Sequence, residues 1–358
     1  MKAALLRAFT DDPDEIRIAD VPVPEPGAGQ VRVRMLLSPV NPSDLNFVRG
    51  TYYQALQRVI WNQQRGATDP VHFDQERRMP CVLPPYVLGL EGVGIVEACG
   101  GGFLARRLLG RRVAVASGPP QGTWQECTVV DAKRAVAVPE QLGDEQAAMY
   151  LANPVSACIM VREMLRVPRG AWLLVTAAGS ALGKDVVRLG RRDGFRTLCV
   201  VRSDANTAEL KALGADAVVE TRHQDLVSEV ARITGGRGVG FALDCVGGEL
   251  AAEVVRCLGV GGRLVVYGTL DDRPMQVAVR DLMMPVASVT GFYLGNWMAQ
   301  HSPLKLLGVL RTVRKLALEG TFRADVAAVY PLEQVAAAVR ASLAPGRTGK
   351  VLLRIADR

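Results

Sequence analysis

Residues with the means to do chemistry gather first at a turn of mostly small side chains. The stretch 171–203 reads AWLLVTAAGSALGKDVVRLGRRDGFRTLCVVRS. Gly179 and Gly183 bracket Ser180, Ala181 and Leu182, where a chain can pass from strand to helix. Bare backbone at such a corner can approach a pyrophosphate, and the N–H groups of a helix start favour its negative charge. The spacing is Gly-x-x-x-Gly and not the strict Gly-x-Gly-x-x-Gly, so the alternative is a tight turn that binds nothing. Arg202 and Ser203 stand about twenty residues further on, where the residue that reads the ribose belongs. A guanidinium there suits a 2′-phosphate; the alternative is a solvated arginine at a strand end.

The elements that must position this turn follow from the apolar pattern. Residues 172–176 form a short apolar run, 184–192 have helical spacing with Val186, Val187 and Leu189 on one side, and 197–201 are a second run. Together they predict a βαβ unit. Downstream, helices at 207–213, 225–234 and 249–258 alternate with strands at 217–220, 238–244 and 263–267. A last strand is expected at 286–293, completing a doubly wound parallel sheet. Upstream the chain reads mostly as β, with strands at 2–6, 31–37, 86–98, 112–116, 123–130 and 135–138. Residues 38–53 read as a polar turn and a short helix ending near Gly50. Residues 54–80 are charged and polar, an inserted loop or lid with His72 solvated in it. An alanine-rich helix is expected over 144–165, then two more at 304–318 and 332–343. A final strand at 350–355 has no sheet assigned to it by periodicity.

Composition narrows the class. A hydrophobic content of 49% with 22% charged residues suits a soluble globular enzyme, and 358 residues are enough for two domains. No apolar run approaches the roughly 20 residues of a membrane helix, so no membrane partner is expected. The first residues turn acidic too soon for a secretory signal, which predicts a cytoplasmic protein. Seven cysteines form no C-x-x-C pair, which argues against a disulfide framework. The net charge is +7, with 36 arginines against 7 lysines. No basic block or aromatic-basic interleaving accompanies it, which argues against nucleic acid; attraction for an anionic substrate is the functional reading.

Several segments are similar to the medium-chain dehydrogenase/reductase superfamily. They are VNPSDLN at 40–46, LGLEGVGIV at 88–96, GTWQECTVV at 122–130, the turn itself, LKALGADAVVE at 210–220, DCVGG at 244–248, GGRLVVYG at 261–268 and GRTGKVLL at 346–353. The resemblance implies an α/β fold in two parts. A mostly β, GroES-like catalytic domain spans 1–145 and is completed by 299–358. A Rossmann nucleotide-binding domain spans 146–298. Asn41 and Leu90 stand where zinc members carry a cysteine and a histidine. With three histidines, none at ligand spacing, no metal site is expected.

Within the zinc-free group the chain most resembles 2-enoyl thioester reductases. NPSDLNFVRGTY at 41–52, ANPVSA at 152–157, VVRS at 200–203 and GFYLGNW at 291–297 match their motifs. That resemblance implies an NADPH-dependent reduction of the C=C bond of a trans-2-enoyl thioester, carried by CoA or an acyl carrier protein. Tyr52 would stabilise the enolate oxygen. Asn41 and Asn46 would be supporting donors, or turn residues bonding their own backbone. Tyr53 follows Tyr52 directly, and the insertion leaves open which one faces substrate. Ser156, Gly179, Ser180, Ala181, Leu182, Gly183, Arg202, Ser203, Tyr267, Gly268, Phe292 and Lys350 would hold the cofactor. Trp297, with Phe292, would wall the acyl pocket, and Tyr53 would line it. A homodimer through the apolar edge 286–293 is implied. The alternatives are a zinc-free quinone or enone oxidoreductase and, behind it, a non-catalytic nucleotide-binding protein.

Overall fold

The computed structural model describes residues 1–53 and 83–357. The expected insertion at 54–80, with His72, lies outside the described residues. The chain divides into two compact units, Met1–Leu151 with Val326–Arg358, and Ala152–Asp325.

The first unit is mostly β. Its early strands are β1 (Lys2–Leu6), β2 (Ile16–Asp20), β3 (Gln30–Pro39), β4 (Tyr86–Val87), β5 (Glu91–Cys99), β6 (Arg112–Ala116), β7 (Cys127–Asp131) and β8 (Ala135–Ala137). β2, β1 and β4 form a small antiparallel sheet. β3 is central to the larger sheet, with β5 on one side and, on the other, a strand from the end of the chain. The expected strand over 86–98 is broken in two. Gly89 turns the corner at φ +101°, and a Cβ there would stand 2.8 Å from the Trp124 backbone nitrogen. Only glycine fits so close an approach.

The second unit holds β9 (Trp172–Val175), β10 (Arg196–Val201), β11 (Ala217–Glu220), β12 (Val239–Asp244), β13 (Leu258–Val266) and β14 (Ser288–Gly291). They form one parallel sheet in the order β11-β10-β9-β12-β13-β14. The order reverses between β9 and β12, the switch point outside whose strand ends such sheets bind ligands. Leu174, Leu198, Val200, Val219, Ala242 and Leu264 form part of the core on which the helices pack. Val260, Val279, Met283, Met284 and Val286, near the β14 edge, are exposed.

The continuous helix expected over 144–165 is corrected to three pieces. Helices span Asp144–Ala148 and Asn153–Cys158, and a wider π-type turn follows at Ile159–Met164. Pro154, in the first turn of the second piece, offers no N–H to a preceding turn, so the helix starts anew there. The second unit also runs further than 298. Helix Pro303–Leu318 belongs to it, and Asp325 is tied to it by Arg188 at 3.0 Å. The chain then returns to the first unit as β15 (Val326–Pro331) and β16 (Lys350–Arg354). β16 pairs antiparallel with β3, Leu352 facing Pro39 and Leu353 facing Ser38, which gives the unassigned last strand its place.

Candidate functional site

In the second unit the chemistry lies at the C-terminal ends of the strands. β9 ends at Val175; Thr176 and Ala177 turn the chain, and Ser180 caps helix Ala181–Asp193 by accepting from Gly183 N–H at 3.1 Å. The N–H groups of Ala181 and Leu182 are left without a partner inside the helix. Gly183 is there for packing: a Cβ would stand 2.5 Å from the Ala178 carbonyl oxygen. Gly179 brings bare backbone against Asn206, whose Nδ2 lies 2.6 Å from where a Cβ would be. Ala177 holds φ +45°, a left-handed conformation at the position where a tight turn would favour glycine.

A side-chain brace that the motif did not reveal spans this corner. Asp244, fully buried at the end of β12, accepts from Thr176 Oγ1 at 2.6 Å and from Gly247 N–H at 2.8 Å. Burial raises its carboxyl pKa, against the pull of these bonds. The brace ties the end of β9 to the end of β12, 68 residues away. The only local hint was the apolar strand at 238–244 closing on a carboxylate.

The remaining cofactor candidates divide by surroundings. Arg202, just past β10, is exposed and forms no ion pair among the described residues; Ser203 beside it is half-buried. Tyr267 continues the β12–β13 pairing through its N–H to the Asp244 carbonyl. Burial and the adjoining Cys245 push its phenol well above the ordinary range. A Cβ on Gly268 would stand 2.8 Å from the Cys245 carbonyl oxygen, so that strand also passes close. Ser156 is buried, and Phe292 is half-buried with its N–H on the Val266 carbonyl. Trp297 is buried and stacks on His301, ring centroids 4.0 Å apart.

Tyr52, Tyr53, Asn41, Asn46 and Lys350 all lie in the first unit. β3 ends at Pro39 and the chain enters helix Pro42–Arg49, which closes at Gly50 in the left-handed conformation (φ +73°). Asp44 Oδ2 reaches back to accept from Asn41 N–H at 2.7 Å, fixing the first turn. Past the helix, Thr51 Oγ1 donates to the Asn46 carbonyl and to Asn46 Oδ1, at 3.2 and 3.3 Å. The amide oxygen of Asn46 is thereby occupied, and its side chain also bonds to the Tyr52 hydroxyl, in the sense that favours the phenolate. Burial raises the Tyr52 phenol, the Asn46 bond opposes that by favouring the phenolate, and the charge of Asp44 adds to the rise.

The adjacent tyrosines part company. The Tyr52 ring meets Phe47 edge-on at 5.3 Å, whereas Tyr53 packs against Phe9 at 5.5 Å. Tyr52 therefore joins the polar cluster at the helix, and Tyr53 joins an aromatic contact.

Asn41 is buried, and both ends of its amide are occupied. Nδ2 donates to Glu91 Oε1 at 3.1 Å, and Oδ1 accepts from the Lys350 ammonium. Lys350, expected at the cofactor, is thus buried in the first unit. Burial lowers its pKa to about 8; Glu91 and Asp44 hold it up, and Arg347 pushes it further down. Burial raises Asp44 to about 7, against Asn41 N–H and the Lys350 charge. Glu91, which no spacing argument had singled out, is 2% exposed, and its backbone carbonyl accepts from Ser38 and Thr123 hydroxyls at 2.6 and 2.8 Å. Among the described residues no group of three His, Cys, Asp or Glu side chains could hold a metal ion.

A mostly β unit completed by a returning strand, and a second unit built on a parallel sheet with a nucleotide-type turn, are the parts of one large class of oxidoreductases. Residues 27–140 match the alcohol dehydrogenase GroES-like domain and residues 181–308 the zinc-binding dehydrogenase domain. The chain belongs to the medium-chain dehydrogenase/reductase superfamily and is an oxidoreductase of it. The mitochondrial enoyl-[acyl-carrier-protein] reductase of Bos taurus is 29% identical over 360 residues, covering 98% of this chain and 88% of that protein. The Caenorhabditis elegans enzyme of the same name is 30% identical over 303 residues, covering 83% of this chain and 78% of its own length. Among solved structures, a putative NADPH:quinone reductase from Bacillus thuringiensis is 30% identical, with a TM-score of 0.85 and 99% of each chain covered.

Proposed function

We propose that the protein reduces the C=C bond of a trans-2-enoyl thioester, on CoA or an acyl carrier protein, with NADPH. The similarity to proteins named enoyl-[acyl-carrier-protein] reductase supports the substrate class. The observation that carries the mechanism is the half-buried Tyr52, whose hydroxyl is hydrogen-bonded by Asn46 while its neighbour Tyr53 packs elsewhere.

The second unit fits a dinucleotide on its own geometry. The turn accepts only small residues at Gly179 and Gly183, and the first N–H groups of helix Ala181–Asp193 suit a pyrophosphate. The exposed guanidinium of Arg202, without an ion pair among the described residues, suits a 2′-phosphate, which favours NADPH over NADH. Ser180, Ala181, Leu182, Ser203, Ser156, Tyr267, Gly268 and Phe292 complete the proposed cofactor side. When bound, the cofactor supplies a hydride to the β-carbon of the substrate.

The residues of the first unit answer the charge that results. Negative charge builds on the thioester oxygen as an enolate. The Tyr52 O–H donates to that oxygen, and the N–H of Asn46 on the phenol oxygen strengthens Tyr52 as a donor. A proton from water then adds to the α-carbon, leaving hydroxide that bulk buffer neutralises, and the saturated thioester leaves. Asn41 acts indirectly, because its amide is already bonded at both ends.

Tyr52→Phe tests this reading. It keeps the ring and removes one donor that matters most in the transition state. With crotonyl-CoA and NADPH, kcat should fall roughly 100- to 1,000-fold while KM stays within a few fold. Tyr53→Phe, which loses only a packing residue's hydroxyl, should stay near the wild-type rate. Full rates in both variants on every enoyl thioester would reject the mechanism. The quinone or enone reading, supported by the likeness to the Bacillus thuringiensis protein, would then lead.

A further inference from the structure

The end of β3 is held by charges from both neighbouring strands. β5 begins at Glu91 and lies on one side; β16 begins at Lys350 and lies on the other. Backbone pairing fixes this arrangement, since Val40 N–H donates to the Val351 carbonyl at 2.9 Å. Between the two, Asn41 donates to Glu91 and accepts from Lys350. Asp44 closes the same turn from within the helix. Glu91, Asp44 and Lys350 are 2%, 1% and 6% exposed, so water contributes little to any of them. Arg347, in the loop before β16, is a further cation acting on Lys350, and its Nε is buried with no partner among the described residues.

A lysine held only for stability would be expected on a carboxylate. Lys184 in the second unit shows that pattern, with its ammonium 2.6 Å from Glu209. Lys350 instead places its ammonium on an amide oxygen, although Glu91 and Asp44 are near enough to influence it. The amide it fixes starts the turn that leads, through Asp44 and Asn46, to Tyr52. We infer that Lys350 is a positioning residue for the reaction: by holding Asn41 against Glu91, it sets the first turn of helix Pro42–Arg49 and so the aim of the Tyr52 hydroxyl. This rests on the proposed role of Tyr52.

The test is a double-mutant cycle with crotonyl-CoA and NADPH. Lys350→Met keeps the length of the chain and removes the charge and the donor. Its kcat should fall roughly 10- to 100-fold, the scale on which a small misplacement of a reacting group acts. The Kd for NADPH, read by fluorescence in the absence of substrate, should stay within about twofold, since the inferred role lies outside cofactor binding. In a Tyr52→Phe background the Lys350→Met penalty should vanish, because there is no hydroxyl left to aim. Equal penalties in both backgrounds would overturn the inference and leave the Tyr52 reading intact. Weakened NADPH binding with unchanged kcat would overturn it in favour of a cofactor role. A fully active Tyr52→Phe enzyme would remove the reading and this inference together, and is seen without touching Lys350.

Lys350→Met strands Glu91 and Asp44 in the interior, so the variant can fail to fold. The double variant Lys350→Met/Glu91→Gln removes one charge of each sign and keeps the test open. It should regain thermal stability yet remain slow, because Asn41 Oδ1 still lacks its donor. A wild-type kcat in that variant would show that Lys350 does no more than balance Glu91.

Discussion

The turn after β9 is made of backbone, whereas the end of β3 is made of side chains. At the turn, Ala177 bends the chain, Gly183 lets a helix press on it, and N–H groups face the ligand's expected place. At β3, Asn41 is gripped by residues 50 and 309 positions away in the sequence. A backbone-built site tolerates exchange of most of its side chains, provided they stay small. A site built from buried charges depends on each member, because the loss of one leaves the others unpaired. The contrast also separates the proposed binding from the proposed chemistry. The first arrangement is proposed to recognise phosphates through dipoles that do not titrate, and the second holds groups whose protonation changes close to neutrality.

The sharpest way to break this contrast is pH. Asp44 moves from an ordinary 3.8 to about 7 in the fold. The folded state then binds the proton more tightly than the unfolded chain. The stability this contributes is complete below about pH 4 and is lost as pH rises through about 7. Asp44→Asn cannot ionise and should escape that loss. Relative to wild type, its stability should rise between pH 4 and 8 by on the order of 4 kcal/mol, since each tenfold gain in proton affinity is worth about 1.36 kcal/mol. Thermal melts of both proteins across that range read the difference. A flat difference would mean that Asp44 is not a buried titrating group, and the contrast with the turn would lose its acidic half. Lys350, lowered to about 8 from 10.5, works in the opposite sense. There the unfolded chain binds more protons, so stability from this group rises with pH between about 8 and 10.5.

How much was legible follows from the same difference. Gly179, Gly183 and Arg202 lie within one βαβ unit, so local spacing was enough to expect a phosphate-binding corner. The alternation of strand and helix after it gave the parallel sheet for the same reason. Asn41 could be read only as a donor or a turn residue. Its actual partners, Glu91 and Lys350, come from strands that no local pattern joins. The Thr176–Asp244 brace was hidden likewise, 68 residues apart. Tyr52 and Tyr53 could not be separated by sequence, since both follow the same helix. Their rings choose partners from different elements, Phe47 and Phe9. The helix expected over 144–165 failed because alanine content outweighed Pro154 in the reading, and a proline, having no N–H to give the preceding turn, stands in the first turn of a new helix in the fold.

Arg202 is the one place where the backbone-built site is proposed to depend on a side chain. Arg202→Ala removes a charge-assisted bond worth roughly 1.5–3 kcal/mol, so NADPH affinity should fall about 10- to 100-fold. NADH lacks the phosphate and should bind with nearly unchanged affinity, held by the turn alone. Titration of both cofactors by fluorescence measures the two losses. If they are equal, Arg202 supports the structure of the turn and does not read the phosphate, and the preference for NADPH loses its basis.

The smallest expected effect tests the turn where its backbone is strained. Ala177 holds φ +45°, is half-buried, and accepts Ser180 N–H at 2.9 Å, so the conformation is part of the corner. An L-residue in that conformation costs about 1–2 kcal/mol, which glycine does not. Glycine gives back about 0.4–1 kcal/mol because it has more freedom to lose from the unfolded chain. Ala177→Gly should therefore stabilise the protein by about 0.5–1 kcal/mol, a rise of roughly 1–4 °C in Tm for a unit of this size. NADPH affinity should stay within about twofold, because the phosphate would meet the same N–H groups. A loss of stability would show that the Ala177 methyl packs to greater effect than its backbone strains. The corner would then rely on side-chain contacts as the end of β3 does, and the division between the two sites would narrow at the point where it is now widest.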